Sequence, residues 1–189
     1  MKRGIITFIT GIILVVLFAI LLAACRPMTT HAAGVTKYTT RKTCMYNKAY
    51  GKVVKKLQRN TAVKQVKVGK AWAKVIYKGR TLYCRKKWLH PQKSPKLYDG
   101  AYFKRAGVIW WNGYKYTWYS QRVLPGYGLK IPGRHLDGQG FVCDNNGYIV
   151  LGSNTANRGK LIATPFGRFG KVYDAGYVGT YWFDCYTAW

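Results

Sequence analysis

The sequence predicts an all-β protein behind an apolar leader, and three observations carry that prediction. Short runs rich in Val, Ile, Thr, Tyr and Trp recur between turn residues. Two-residue breaks at Lys78-Gly79 and Asn112-Gly113 sit between such runs, as hairpin turns do. From Tyr98 to the end, Gly and aromatics dominate and no helical period is sustained.

The leader comes first. Met1-Lys2-Arg3 is basic and Ile5 to Cys25 is almost wholly apolar, the order of a secretory signal or, if left uncut, of an anchor helix. Leu22-Ala23-Ala24-Cys25 resembles a bacterial lipoprotein box, which implies lipidation of Cys25. Thr30-His31-Ala32 offers small residues for an ordinary signal peptidase instead. Either route assigns residues 1–32 to export, and places the rest on the extracellular face, wall-associated or membrane-anchored. Four further cysteines, Cys44, Cys84, Cys143 and Cys185, fall two in each half of the remaining chain. In an oxidising compartment an even count suggests two disulfides, with Cys44–Cys84 and Cys143–Cys185 the economical pairing among three connectivities. Four buried free thiols are the alternative. The cysteines are widely spaced and only His90 and His135 lie in the body of the chain, so neither a metal nor another cofactor is expected.

Charge is the strongest compositional feature. The chain carries a formal +27 and no Glu; its five acids are Asp99, Asp137, Asp144, Asp174 and Asp184. Between Val35 and Tyr98 there are 19 Lys and Arg and no acid. Such a surface attracts polyanions in a salt-dependent way. For an exported protein the expected partners are anionic wall polymers or a membrane surface, with nucleic acid the weaker alternative. A monomer is expected.

Residues 35–90 form the first expected module. The runs Val53–Leu57, Ala62–Val68, Trp72–Tyr77 and Arg80–Cys84 read as strands, the last two as a hairpin. Val66, Val68, Trp72, Val75 and Leu82 are the expected inward face of a small β-barrel, with lysines outside. Thr39-Thr40-Arg41, Met45-Tyr46, Asn60-Thr61-Ala62-Val63, Trp72-Ala73-Lys74-Val75, Tyr77 to Cys84 and Trp88-Leu89 together resemble a bacterial SH3-like (SH3b) domain. The resemblance implies attachment to peptidoglycan or associated polymers without catalysis. Pro91-Gln92-Lys93-Ser94-Pro95 opens the expected linker, residues 91–97.

Residues 98–189 form the second module. Expected strands are Ala101–Trp111, Tyr114–Tyr119, Phe141–Asp144, Tyr148–Leu151, Lys160–Ala163, Gly170–Tyr173 and Tyr181–Thr187, enough for a closed barrel. Arg158 to Ile162, Gly170-Lys171-Val172-Tyr173-Asp174-Ala175-Gly176, Gly179 and Phe183-Asp184-Cys185-Tyr186 resemble the end of a six-stranded double-psi β-barrel. More narrowly they resemble the "3D" domain of muralytic proteins and of one lytic transglycosylase group. The resemblance implies that Asp174 and Asp184 are catalytic. The family's earlier aspartate has no counterpart, since that stretch reads Val150-Leu151-Gly152-Ser153-Asn154.

A lytic transglycosylase needs one carboxyl group that first protonates the leaving oxygen and then accepts a proton from the sugar's own hydroxyl. A hydrolase instead needs two carboxylates at a set separation. Asp184 beside Trp182 and Phe183 suits a carboxyl whose pKa burial raises, with Asp174 as its neighbour. His135, Asp137, Tyr119 and Gln121 are the candidate substrate-binding residues. Strand alternation lets only one of Trp118 and Tyr119 face a groove. A nucleophilic site built from His135 and Asp137 with Cys143 or Ser120 is a third, weaker reading. The expected function is peptidoglycan binding with glycan-strand cleavage; binding or wall loosening without cleavage is the alternative.

Overall fold

A computed structural model describes residues 33–120, 129–175 and 179–189. The expected leader with Cys25, and Gln121, lie outside the described residues. Among those described, no helix is long and apolar enough to cross a membrane. The fold is mostly β, as expected, and the described residues are organised as two sheets with one α-helix.

The first sheet is antiparallel and seven-stranded. It contains β1 (Val35–Thr39), β2 (Thr43–Tyr46), β3 (Val53–Leu57), β4 (Ala62–Val68), β5 (Trp72–Tyr77), β6 (Arg80–Arg85) and, after a 3-10 turn at Lys86–Trp88, β7 (Leu89–His90). Their order is β3-β2-β6-β5-β4-β1-β7. The β5–β6 hairpin closes through Lys78 (φ 48°) and Gly79 (φ 73°) with Tyr77 opposite Arg80. Two successive positive φ values give the turn whose twist matches that of the strands. Met45, Leu57, Val63, Ala73, Val75, Leu82 and Cys84 make the core.

That core corrects the expected inward face. Val75 and Leu82 are buried, but Val68 is 52% exposed and Trp72 is only half-buried. In β5 it is Ala73 and Val75 that point inward, so alternation sends Trp72 to the outer face. In β4 the register shifts between Gln65 and Lys67, so Val63 supplies the core and the residues after the bulge turn out.

The second sheet is mixed. Its strands are β8 (Ile109–Trp111), β9 (Tyr114–Ser120), β10 (His135–Leu136), β11 (Val142–Cys143), β12 (Ile149–Gly152), β13 (Leu161–Ala163), β14 (Phe169–Asp174) and β15 (Trp182–Thr187). The main path runs β10-β11-β12-β15-β9-β8, with β14 beside β12 and β13 beside β14. The pairs β12–β14 and β9–β15 are parallel. The expected hairpin at Asn112 (φ 53°) and Gly113 (φ 76°) is present, with Trp111 opposite Tyr114. Every residue of β12 is buried. On β14, a Cβ at Gly170 would lie 2.4 Å from Leu151, so only glycine lets the two strands meet there.

One expected strand is a helix. Residues 100–106 form α1 (Gly100–Ala106), and only Ile109–Trp111 of the expected 101–111 run is extended. Asp99 caps the helix by accepting the Tyr102 amide at 2.7 Å, and Gly107, at φ 71°, ends it. The segment between holds no β-branched residue to oppose helix formation. Its Phe103 is fully buried against Phe141 and Phe166.

Ala33–Trp189 is one compact unit, and the 91–97 segment is built into it. Ser94 is fully buried. Its hydroxyl donates to the Thr164 carbonyl at 2.7 Å, with the Arg168 carbonyl alongside, and accepts the Thr164 amide at 3.1 Å. Asn60 of the first module donates to the Ser94 carbonyl at 2.8 Å and accepts the Ser94 amide at 3.1 Å. Thr40 and Tyr148 share a hydroxyl hydrogen bond of 2.7 Å. These contacts tie the two sheets directly to one another. Ser94→Ala strips partners from a buried amide and carbonyl, and the expected loss is about 1–3 kcal/mol. Urea unfolding checks this: the variant should keep a single transition at a lower midpoint, while an unchanged midpoint would show the segment to be a mere tether.

Candidate functional site

Four strands of the second sheet bring one row of side chains together. Asp184 on β15 lies opposite Thr117 on β9 and opposite Gly152 on β12; Gly152 in turn lies opposite Asp174 on β14. Directly paired residues share a face. The row Thr117, Asp184, Gly152, Asp174 therefore crosses the sheet on one side, and Phe183 and Cys185 point to the core on the other. At Gly152 a Cβ would first meet the Tyr186 ring, at 3.6 Å, the ring that reaches across to Asp174. A Cβ there would sit 3.8 Å from that of Asp184 and 3.9 Å from that of Asp174.

The two acids differ in their partners. Thr117 Oγ1 donates to Asp184 Oδ1 at 2.9 Å. Burial pushes the Asp184 pKa above the ordinary carboxylate value, and the Thr117 hydrogen bond pulls the other way without cancelling it. Asp174 Oδ2 accepts the Tyr186 hydroxyl at 2.7 Å, and Arg158 lies 3.7 Å from its Oδ1. Burial first, and the Asp174 hydrogen bond second, raise the Tyr186 pKa, so the phenol keeps its proton and acts as donor. The flanking rows complete the face. Tyr119 lies opposite Tyr186 with ring centroids 5.6 Å apart, and Lys115 sits 3.4 Å over the ring of Trp182.

The other three acids are committed to the backbone. Asp99 caps α1. Asp144 is fully buried; it accepts the Asn146 amide at 2.8 Å, the Tyr148 amide at 3.1 Å and the Tyr173 hydroxyl at 2.8 Å. Asp137 accepts the Gln139 amide at 2.8 Å and the Phe141 amide at 3.0 Å, and pairs with Arg168 at 3.0 Å. Its side chain is 3% exposed, so Asp137 organises a loop and is not available to a substrate.

His135 is also not brought to the carboxylates. It pairs with Cys143, and Cys143 with Ile149, so it shares their face, opposite to that of Asp184. It is exposed, and its Nδ1 lies 2.9 Å from the Gly133 carbonyl. His135 is paired with Cys143, as a nucleophilic reading would ask, but burial pushes that thiol up to about 12 and so disfavours the thiolate. Tyr119 does stand beside the carboxylate row and is 54% exposed. Its neighbour Trp118 packs inward against the core and Trp189, as alternation requires. Gln121 lies outside the described residues.

All four cysteines are free thiols in the structure, so neither expected disulfide is present. For Cys44 and Cys84 the geometry gives the reason. Tyr46 lies opposite Tyr83, which sets Met45, not Cys44, across from Cys84. Met45 and Cys84 are buried in the first core and Cys44 points to the opposite face. Cys143 and Cys185 share the second core, where burial holds both thiols protonated.

Thr117, Gly152, Tyr186 and Arg158 were not singled out from the sequence. A period-2 reading outward from Asp184 and Tyr119 would have found Tyr186 and Thr117, each two residues away on its strand. Gly152 and Arg158 had no such local signal. Comparison with known proteins gave no matching family model, no matching curated protein and no matching solved structure.

The raised pKa of Asp184 has a stability consequence. Folded Asp184 holds its proton more tightly than the unfolded chain does, so its contribution is full below the ordinary value of 3.8 and is lost as pH rises through the folded value. Asp184→Asn removes that titration. The variant should gain stability relative to the native chain as pH rises from below 3.8 to neutrality. Thr117→Val, which leaves the carboxylate without its donor, should steepen the fall. Urea midpoints across a pH series test both, and a difference independent of pH would rule the account out.

Proposed function

We propose that the protein is an exported wall-associated enzyme that cleaves peptidoglycan glycan strands as a lytic transglycosylase does, with Asp184 as acid and then base. One observation carries this reading. Of five acids in a very basic chain, three serve the backbone, while Asp184 and Asp174 stand in one row on either side of Gly152, with Asp184 raised in pKa. In this reading, the bond cut is the glycosidic link of the muramyl residue. Protonated Asp184 donates to the leaving oxygen as that bond breaks. The resulting carboxylate accepts the proton of the muramyl 6-hydroxyl as that oxygen closes on the anomeric carbon, so no water is consumed. Asp174, steadied by Tyr186 and Arg158, holds a sugar hydroxyl, and the exposed ring of Tyr119 supports a sugar face.

The resemblance to a double-psi barrel of the 3D type fits this assignment, and the SH3-like resemblance supplies the wall attachment. A non-catalytic wall binder is the second reading, favoured by one feature. Residues 150–154, where the resembled family carries its earlier acid, hold none, and Ser153 is occupied by the Trp182 carbonyl at 2.9 Å.

Incubation of the exported chain with peptidoglycan, followed by mass spectrometry of the soluble fragments, decides between them. The expected products are anhydro-muropeptides, reduced about 10²–10⁴-fold in Asp184→Asn at unchanged fold. Because the acid form is required, release should decline as pH rises through the raised Asp184 pKa, and Thr117→Val should move that decline to higher pH. No release, with the protein still pelleting with the wall, would leave only the binding reading.

A further inference from the structure

The first sheet carries a basic groove that shares no residue with the carboxylate row. The groove, of about 1000 Å³, opens along β4, the following turn and the 3-10 turn after β6. Lys37, Lys70, Arg85, Lys86 and Lys87 line it, with no acid among its walls. A smaller recess of about 220 Å³ shares Lys87 and Trp88 with the groove and adds Arg41 and, from β14, Lys171. The two hollows adjoin at Lys87 and Trp88 and are taken together as a basic path, and every charged group lining them is cationic. None of these seven cations is in an ion pair among the described residues.

Arg85 is the ordered member of the set. Its guanidinium lies 4.5 Å from the ring centroid of Trp72 and 5.6 Å from that of Tyr50. Trp72 is itself held edge-on by Tyr46 and Tyr50 at 5.0 and 5.2 Å. A guanidinium stacked on rings has its planar faces occupied and its N–H edge available, the arrangement that binds a tetrahedral oxyanion with two parallel hydrogen bonds. At the other end of the path Arg41 covers Trp88 in the same way, at 5.6 Å. These stacks account for the outward turn of Trp72, which the hydrophobic pattern alone did not anticipate.

We propose that this path binds a linear phosphodiester-linked polymer of polyol or sugar units, with Arg85 gripping one phosphate and the lysines following the chain. Three features favour that occupant. The cations line two adjoining hollows, which suits a chain better than a flat lipid surface. The indole faces of Trp72 and Trp88 carry guanidinium groups, so they are not free platforms on which nucleobases could stack. Isolated phosphates along a flexible chain match cations spaced along a groove. The inference rests on the wall-associated placement proposed above and not on glycan cleavage.

The test uses the exported chain lacking residues 1–32 and measures binding by calorimetry to purified poly(glycerol phosphate). Lys70→Gln/Lys86→Gln/Lys87→Gln should weaken binding at least about tenfold and lower the slope of log affinity against log salt by about two. Lys48→Gln/Lys56→Gln/Lys64→Gln removes the same charge from exposed positions off the path and should weaken it less than about threefold. Arg85→Lys keeps the charge and loses the fork, and should still weaken binding at least about fivefold. Asp184→Asn should bind like the native chain, so failure of the cleavage reading leaves this result untouched. Equal losses in the two triple variants would overturn the site in favour of diffuse charge. Preference for phosphatidylglycerol vesicles, an oligothymidylate or polyglutamate over poly(glycerol phosphate) would overturn the assigned occupant.

Discussion

The buried strand β12 is the constraint on which the second module depends. It receives β14 on one side and both β11 and β15 on the other, and every residue from Ile149 to Gly152 is buried. A strand in that position must satisfy its backbone entirely through its neighbours, since water does not reach it. Its two ends then have distinct tasks. Leu151 packs so closely on β14 that Gly170 has no room for a side chain. Gly152, one residue on and facing the other way, lies between Asp174 and Asp184 with the Tyr186 ring over it. The site is therefore a product of the same strand that holds the core together.

Scarcity of acid explains much of the rest. With five carboxylates against 32 Lys and Arg, each acid has a legible role. Asp99 begins the helix, Asp137 and Asp144 shape loops through backbone amides, and the remaining pair stands on the open face. Among the described residues no basic side chain of the first module is in an ion pair, although Arg41 donates to Asn146. These side chains are held apart from one another by alternation on the strands and, at Arg85 and Arg41, by stacking on indole rings. A surface of unpaired cations beside a compact aromatic cluster is costly in self-repulsion and is relieved by any bound polyanion.

The two modules are not independent bodies joined by a strap. Ser94, Asn60, Thr40 and Tyr148 exchange hydrogen bonds across the boundary, and the smaller recess draws residues from both sides. A polymer lying along the basic path would therefore touch both sheets.

Local features were legible in the sequence alone. The spans of β3, β4 and β5, the two hairpins at Lys78-Gly79 and Asn112-Gly113, and the inward turn of Trp118 beside an exposed Tyr119 all follow from neighbours within a few residues. The Asp99 cap and Gly107 stop of α1 were equally local and were masked by the aromatic composition around them. Asp174 and Asp184 were nameable as candidates from the family resemblance, but their place in one row across the sheet was not. It depends on parallel pairings, β9 with β15 and β12 with β14, whose registers are set by packing between segments far apart in the chain. The same limit hid the fates of Asp137, His135 and Cys44. His135 and Cys44 sit on faces set by strand partners far off in the chain, and Asp137 is held by Arg168, 31 residues away, as well as by its own loop. Period and turn chemistry are properties of the chain; which side of a sheet a residue shares, and with whom, is a property of the fold.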